Sequence, residues 1–147
     1  MPKSKPIISA VFNFQADYCN ISYISEAVKE FALHNMRNIT LEKALDIKTA
    51  ASEAIHNAAD HAYNNKNIKS IISVRCKYMD NNSLEVIVID NGCGILNLEQ
   101  AMQPMYTTGG AHHSGMGFTI MDTFANKLIV ESNAIKGTKV IMTFYCD

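Results

Sequence analysis

Several things are missing from this chain, and each gap narrows what it can be. There is no surplus of charge of either sign: 13 basic and 14 acidic side chains leave a net charge of −1. That gives no electrostatic case for nucleic acid or an anionic membrane as a partner. No apolar run reaches the length of a membrane span. The first residues, Met1-Pro2-Lys3-Ser4-Lys5-Pro6, have neither the apolar stretch nor the cleavage site of a secretion signal. There is also no C-x-x-C pair: Cys19, Cys76, Cys93 and Cys146 are scattered, which predicts free thiols in a reducing cytoplasm. Repeats, low-complexity tracts and interdomain linkers are absent as well.

What remains is an ordinary globular composition, 48 % hydrophobic over 147 residues. That length predicts a single domain over 1–147, which buries about two-thirds of its unfolded surface and needs no disulfide or metal staple.

Residues 7–15 have strand composition. Asn20 or Ser22 is placed to cap a helix running to about Arg37, with Ile21, Ile24, Ala27, Val28, Phe31 and Ala32 at helical spacing. Thr40 caps a second helix, whose apolar face reads Leu41, Leu45, Ile47, Ala51, Ala54, Ile55, Ala58 and Ala62. A turn over 64–67 leads to a strand over 71–76. Asp80-Asn81-Asn82 forms a hairpin into a second strand that ends at Asp90. A short helix is expected over 98–103, a polar loop over 106–114, a helix over 116–126, and strands over 128–131 and 138–145. The order βααββ(α)αββ predicts an α+β fold. It is a two-layer α/β sandwich with a mixed, mostly antiparallel sheet and its helices on one face.

Four short stretches carry chemistry. Asp90-Asn91-Gly92-Cys93-Gly94-Ile95 follows an apolar strand, so a carboxylate is delivered to the lip of the sheet beside glycines that allow close backbone approach. Such a carboxylate accepts from the exocyclic amine of adenine, where guanine offers an acceptor. Glu53, Asn57 and His61 recur at four-residue spacing and form one polar stripe on the second helix. Asn57 offers a neutral oxygen suited to Mg²⁺, and Glu53 is placed to take a proton. His61 can contact phosphate or complement the helix end. Ser114-Gly115-Met116-Gly117-Phe118 enters a helix, where bared backbone N–H groups meet phosphate oxygens. It is neither a Walker loop nor a dinucleotide fingerprint. Gly137-Thr138 reads first as a turn glycine before a strand, and a strand-borne Thr138 hydroxyl near Asp90 could help orient an adenine ring. The loop between, with Thr107, Thr108, Gly109, Gly110, Ala111, His112 and His113, suits a lid over a triphosphate.

In this order and spacing, the four blocks resemble the signature of the gyrase, heat-shock chaperone, histidine kinase and mismatch-repair (GHKL) ATPase superfamily. Ser52-Glu53-Ala54-Ile55-x-Asn57, Gln103-Pro104-Met105-Tyr106-Thr107-Thr108, Ser114 to Met121 and Ile129-Val130-Glu131-Ser132 narrow the likeness. Together they resemble the small serine kinases of the anti-sigma F factor and general-stress type, over roughly residues 46–145.

The resemblance implies a Bergerat-type ATP-binding fold holding ATP or ADP with Mg²⁺, and a cytoplasmic homodimer. It implies that such a dimer sequesters a sigma factor and phosphorylates a serine of an anti-anti-sigma protein. Glu53 would then be the general base, Asn57 the Mg²⁺ ligand and Asp90 the adenine reader. Nucleotide contacts would come from His61, Gly92, Gly94, Ile95, Thr107, Thr108, His113, Ser114, Gly115, Met116, Gly117, Phe118 and Thr138. One departure matters: His113 stands where close relatives carry an arginine directly before Ser-Gly-Met-Gly. Such an arginine is worth on the order of a thousandfold in rate. A nucleotide-gated binding switch with little kinase activity is therefore the alternative. A length of 147 residues leaves no room for a phosphoacceptor hairpin or a transducer domain.

Overall fold

Alternating side chains on five strands build the floor of the molecule. The structure, a computed structural model, describes residues 3–63, 71–90, 117–133 and 137–146, apart from the side chains of 61–63 and 133. In chain order the elements are β1 (Pro6–Gln15), α1 (Tyr18–Asn35), α2 (Leu41–Tyr63), β2 (Ile71–Met79), β3 (Ser83–Asp90), α3 (Gly117–Phe124), β4 (Lys127–Asn133) and β5 (Gly137–Tyr145). The strands form one sheet in the order β1-β2-β3-β5-β4, and every neighbouring pair is antiparallel. The expected mixed, mostly antiparallel sheet thus contains no parallel pair among the described strands. The turn over 64–67, the short helix over 98–103 and the lid lie outside the described residues.

Period-two alternation sorts the side chains into cross-strand rows. On the face that carries the helices, one row reads Ala10, Cys76, Val86, Met142, Leu128. The next reads Phe12, Val74, Val88, Val140, Val130. Most of these side chains are fully buried and join Ile47, Ala50, Ala51, Ala54 and Ile55 of α2, and Ile24, Val28 and Ala32 of α1, in one core. Alanines on α2 let the helix lie close to the sheet. Burial pushes the Cys76 thiol up to about 12, because a thiolate there would lose its hydration.

Both ends of α1 differ from the sequence expectation. Asp17, rather than Asn20 or Ser22, caps α1: its Oδ1 accepts from the Asn20 backbone N–H at 2.8 Å. Asn20 instead donates its side-chain amide to Gln15 O and Asp17 Oδ2. At its other end α1 stops at Asn35, and the Met36 N–H closes on Ala32 O. The expected apolar face of α2 also splits. Ile47, Ala51, Ala54, Ile55 and Ala58 are buried, but Leu41 and Leu45 are exposed. They sit about 90–130° round the helix from the stripe that meets the sheet. Thr40 caps α2 as expected, accepting from the Lys43 N–H at 3.1 Å.

Asn82 fastens the far end of the sandwich. It adopts φ 63°, closes the β2–β3 hairpin and is 8 % exposed. Its Oδ1 accepts from Arg37 N at 2.8 Å and from the Tyr78 hydroxyl at 2.9 Å, while its Nδ2 donates to Arg37 O at 3.0 Å. One side chain thereby ties the α1–α2 connection to the sheet. On the surface, Glu26 of α1 pairs with Lys29 and with Lys48 of α2. The Lys29 ammonium foremost, then Lys48, holds the Glu26 carboxyl below the usual range.

Candidate functional site

The helix-facing side of the sheet is apolar until its last row. There the strands present Phe14, Ile72, Asp90, Thr138 and Ser132 side by side. The alternation that buries Val86 and Val88 puts Asp90, two residues on, on the same face at the strand's end. Asp90 is 2 % exposed and Thr138 5 %. A buried carboxylate or hydroxyl is costly unless it is hydrogen-bonded. Thr138 Oγ1 and Ser132 Oγ lie 3.1 Å apart, within hydrogen-bonding reach. The sheet therefore ends in a polar seam able to offer a carboxylate acceptor beside a hydroxyl.

Above the sheet, α2 packs against β3 and against α3. Glu53 and Asn57, one turn apart, are both half-buried. Gly117 opens α3 and is buried directly against Asn57. A methyl group placed on Gly117 would lie 2.7 Å from Asn57 Nδ2 and 3.1 Å from Oδ1. Only a residue without a Cβ fits that approach without displacing the carboxamide. The first and third motifs, 60 positions apart in the chain, thus meet in space. Phe118, the next residue, is 6 % exposed and belongs to the hydrophobic core.

The structure brings Asp90 together with Thr138, and Asn57 together with Gly117. Glu53 shares the α2 stripe with Asn57. The positions expected at Gly92, Gly94, Ile95, Thr107, Thr108, His113, Ser114, Gly115 and Met116 lie outside the described residues, as does the side chain of His61. Two features carry no role in the sequence reading. Ser132 stands beside Thr138, and its signal is the alternation Leu128, Val130, Ser132, which places it on the buried face. Between the start of α1 and α2 lies a cavity of about 260 Å³ bordered by Asp17, Tyr18, His56 and Asp60. The Tyr18 and His56 rings are 6.0 Å apart there, tilted by 43°.

Comparison with known proteins adds an independent line. The family model described as histidine kinase-like ATPase domain matches residues 14–144. The anti-sigma F factor of Caldanaerobacter subterraneus subsp. tengcongensis is 46 % identical over 127 residues, covering 86 % of this chain and 85 % of that protein. The anti-sigma F factor of Clostridium acetobutylicum is 41 % identical over 130 residues, 88 % and 87 % of the two chains. Among solved structures, the histidine kinase domain of the Erythrobacter litoralis EL346 blue-light activated histidine kinase superposes with a TM-score of 0.59 at 20 % identity. That match covers 86 % of this chain and 59 % of that one. The mycobacterial sensor histidine kinase MprB gives a TM-score of 0.57 at 15 % identity, covering 93 % and 97 %. At those identities the two structures speak to the fold alone, and they agree with the antiparallel sheet and one-sided helices seen here. The buried pairing of Asp90 with Thr138, the packing of Gly117 on Asn57, and relatives above 40 % identity over most of their length lead to one assignment: the chain belongs to the histidine kinase-like ATPase family, among the anti-sigma F factors.

Proposed function

We propose that this protein is an ATP-binding anti-sigma factor that sequesters a sigma factor and phosphorylates a serine of an anti-anti-sigma protein. One observation carries the nucleotide part: a carboxylate, Asp90, buried at the end of β3 in register with the Thr138 hydroxyl. A buried acceptor of this kind suits the amine of adenine and repels the carbonyl of guanine. The close approach of Gly117 to Asn57 is the second support, since it fixes the carboxamide at the mouth of α3. ATP and Mg²⁺ fit this donor set. Among the described residues no three His, Cys, Asp or Glu side chains cluster as metal ligands. Asn57 would therefore hold Mg²⁺ by one hard oxygen, with water and phosphate supplying the rest. When bound, the ion neutralises charge on the triphosphate. Glu53, one turn away, takes the proton of the attacking serine hydroxyl. Gly115 and Gly117 receive phosphate, with Ser114, Met116 and the lid residues around it. Transfer of a phosphoryl group asks mainly for positioning and charge neutralisation, so this short residue set suffices.

The partner assignments rest on the anti-sigma F factor name of the relatives. A homodimer is consistent with β1, an edge strand with Ile7, Ile8 and Val11 exposed. A cytoplasmic location suits a sigma-factor ligand. No described helix is long and apolar enough to cross a membrane. His113, where the family resemblance implies an arginine, favours a second reading: a nucleotide-gated sequestrant with slow transfer. Incubation with γ-labelled ATP and the cognate antagonist decides between them. Label on a serine is expected. Tight nucleotide binding without transfer would leave the switch.

A further inference from the structure

The last row of the sheet holds one more polar group than an adenine reader needs. Ser132 on β4 lies opposite Thr138 on β5, which in turn lies opposite Asp90 on β3. Its Oγ is 3.1 Å from Thr138 Oγ1, and either oxygen can be the donor. We propose that Ser132 is a positioning residue for purine selection: it donates to Thr138, so that the Thr138 proton points at the base.

Counting protons sets the direction of this bond, given the adenine binding at Asp90 proposed above. An ionised carboxylate only accepts, and each hydroxyl carries a single proton. Adenine presents its amine flanked on both sides by ring nitrogens that accept, N1 and N7. With the amine donating to Asp90, the neighbouring residue in the row faces an acceptor whichever edge is turned to it. Thr138 must then donate to the base. It can do so only if its proton is not given to Ser132, so Ser132 must be the donor between them. Hydrogen bonds in series polarise one another, which strengthens the Thr138 donor further. Guanine reverses the pattern at two points. Its carbonyl meets Asp90, and the N1 on one flank becomes a donor that finds the Thr138 proton already directed at it. Ser132 thus adds to the selection that Asp90 begins. At 95 % burial, Thr138 has little water with which to replace the lost partner.

Equilibrium titrations on the full chain test this, with Mg·ATP, Mg·ITP, 1-deaza-ATP and 7-deaza-ATP as ligands. Ser132→Ala is expected to weaken ATP by about two- to tenfold, the worth of one hydrogen bond. The preference for ATP over ITP should narrow. The loss should vanish on whichever deaza analogue is missing the contacted nitrogen. Ser132→Thr, which keeps the hydroxyl on a strand, is expected to bind ATP within about twofold of wild type. An equal loss on ATP and both analogues would make Ser132 merely structural and overturn the proposal. So would unchanged ATP affinity in Ser132→Ala while Asp90→Asn still abolishes binding. If Asp90→Asn itself binds ATP like wild type, the adenine reading fails, and this inference fails with it.

Discussion

Gly117→Ala puts the meeting of α2 and α3 under direct strain. The added methyl would lie 2.7 Å from Asn57 Nδ2, nearer than a carbon and an amide nitrogen can approach, so either the carboxamide or the start of α3 must move. If α3 moves, overpacking costs about 1–3 kcal/mol. Alanine recovers up to about 1 kcal/mol of helix propensity, and less at the first residue of a helix. A net loss of about 1 kcal/mol lowers the melting temperature of a chain this size by about 2–4 °C. If the carboxamide moves instead, stability changes little and the ligand proposed for Mg²⁺ is turned away. The second route predicts that Mg·ATP affinity falls more than the affinity for ATP in excess EDTA. Coupling separates this from a general effect: in an Asn57→Ala background the clash is gone, so Gly117→Ala should then cost nothing. An interaction energy of about 0.5–3 kcal/mol is expected from the double-mutant cycle. Thermal melts and calorimetric titration of the four variants give it. Additive losses would refute the contact as the cause.

Glu53→Ala should leave ATP affinity near normal while stopping transfer to the antagonist; unchanged turnover removes Glu53 from the role of base. Asn82→Ala should lose about 2–4 kcal/mol in urea unfolding. It strands Arg37 and Tyr78 and imposes a left-handed φ on a residue with a bare Cβ. Asn82→Gly removes the φ penalty and should fall less far; equal losses would deny the backbone its share. Brief alkylation followed by mass spectrometry should mark exposed Cys19 and spare buried Cys76, and early label on Cys76 would contradict its burial. The Cys76 thiol is raised from 9.0 to about 12 by burial. Its contribution is therefore complete below about pH 9 and lost as pH rises toward 12, so alkaline unfolding should steepen across that window.

The strands were legible because alternation and hairpin chemistry are local. Leu84 to Asp90 reads as a buried strand in the sequence, and Asp80 to Asn82 as its turn, and both stand in the structure. Helix starts were less legible. Asp17 and Asn20 are both good caps, and only the path of the chain out of β1 decides that Asp17 is used. Leu41 and Leu45 have the right composition for the core but the wrong angle, which becomes plain only once the sheet fixes which stripe of α2 is covered. At the site, the sequence put Asp90 and Thr138 at strand ends and suggested their nearness, but not the register that pairs them. Pairing depends on the antiparallel register of β3, β5 and β4, and the same register is what admits Ser132 to the row. The packing of Gly117 on Asn57 is a tertiary contact between distant motifs, visible in sequence only as a preference for glycine.

Calorimetric titration of the purified protein with Mg·ATP and Mg·GTP, and of Asp90→Asn with Mg·ATP, asks whether Asp90 reads adenine. Saturable ATP binding, far weaker GTP binding, and at least about a tenfold loss of ATP affinity in Asp90→Asn are expected, as removal of a charged acceptor requires. ATP affinity unchanged by Asp90→Asn would contradict that role.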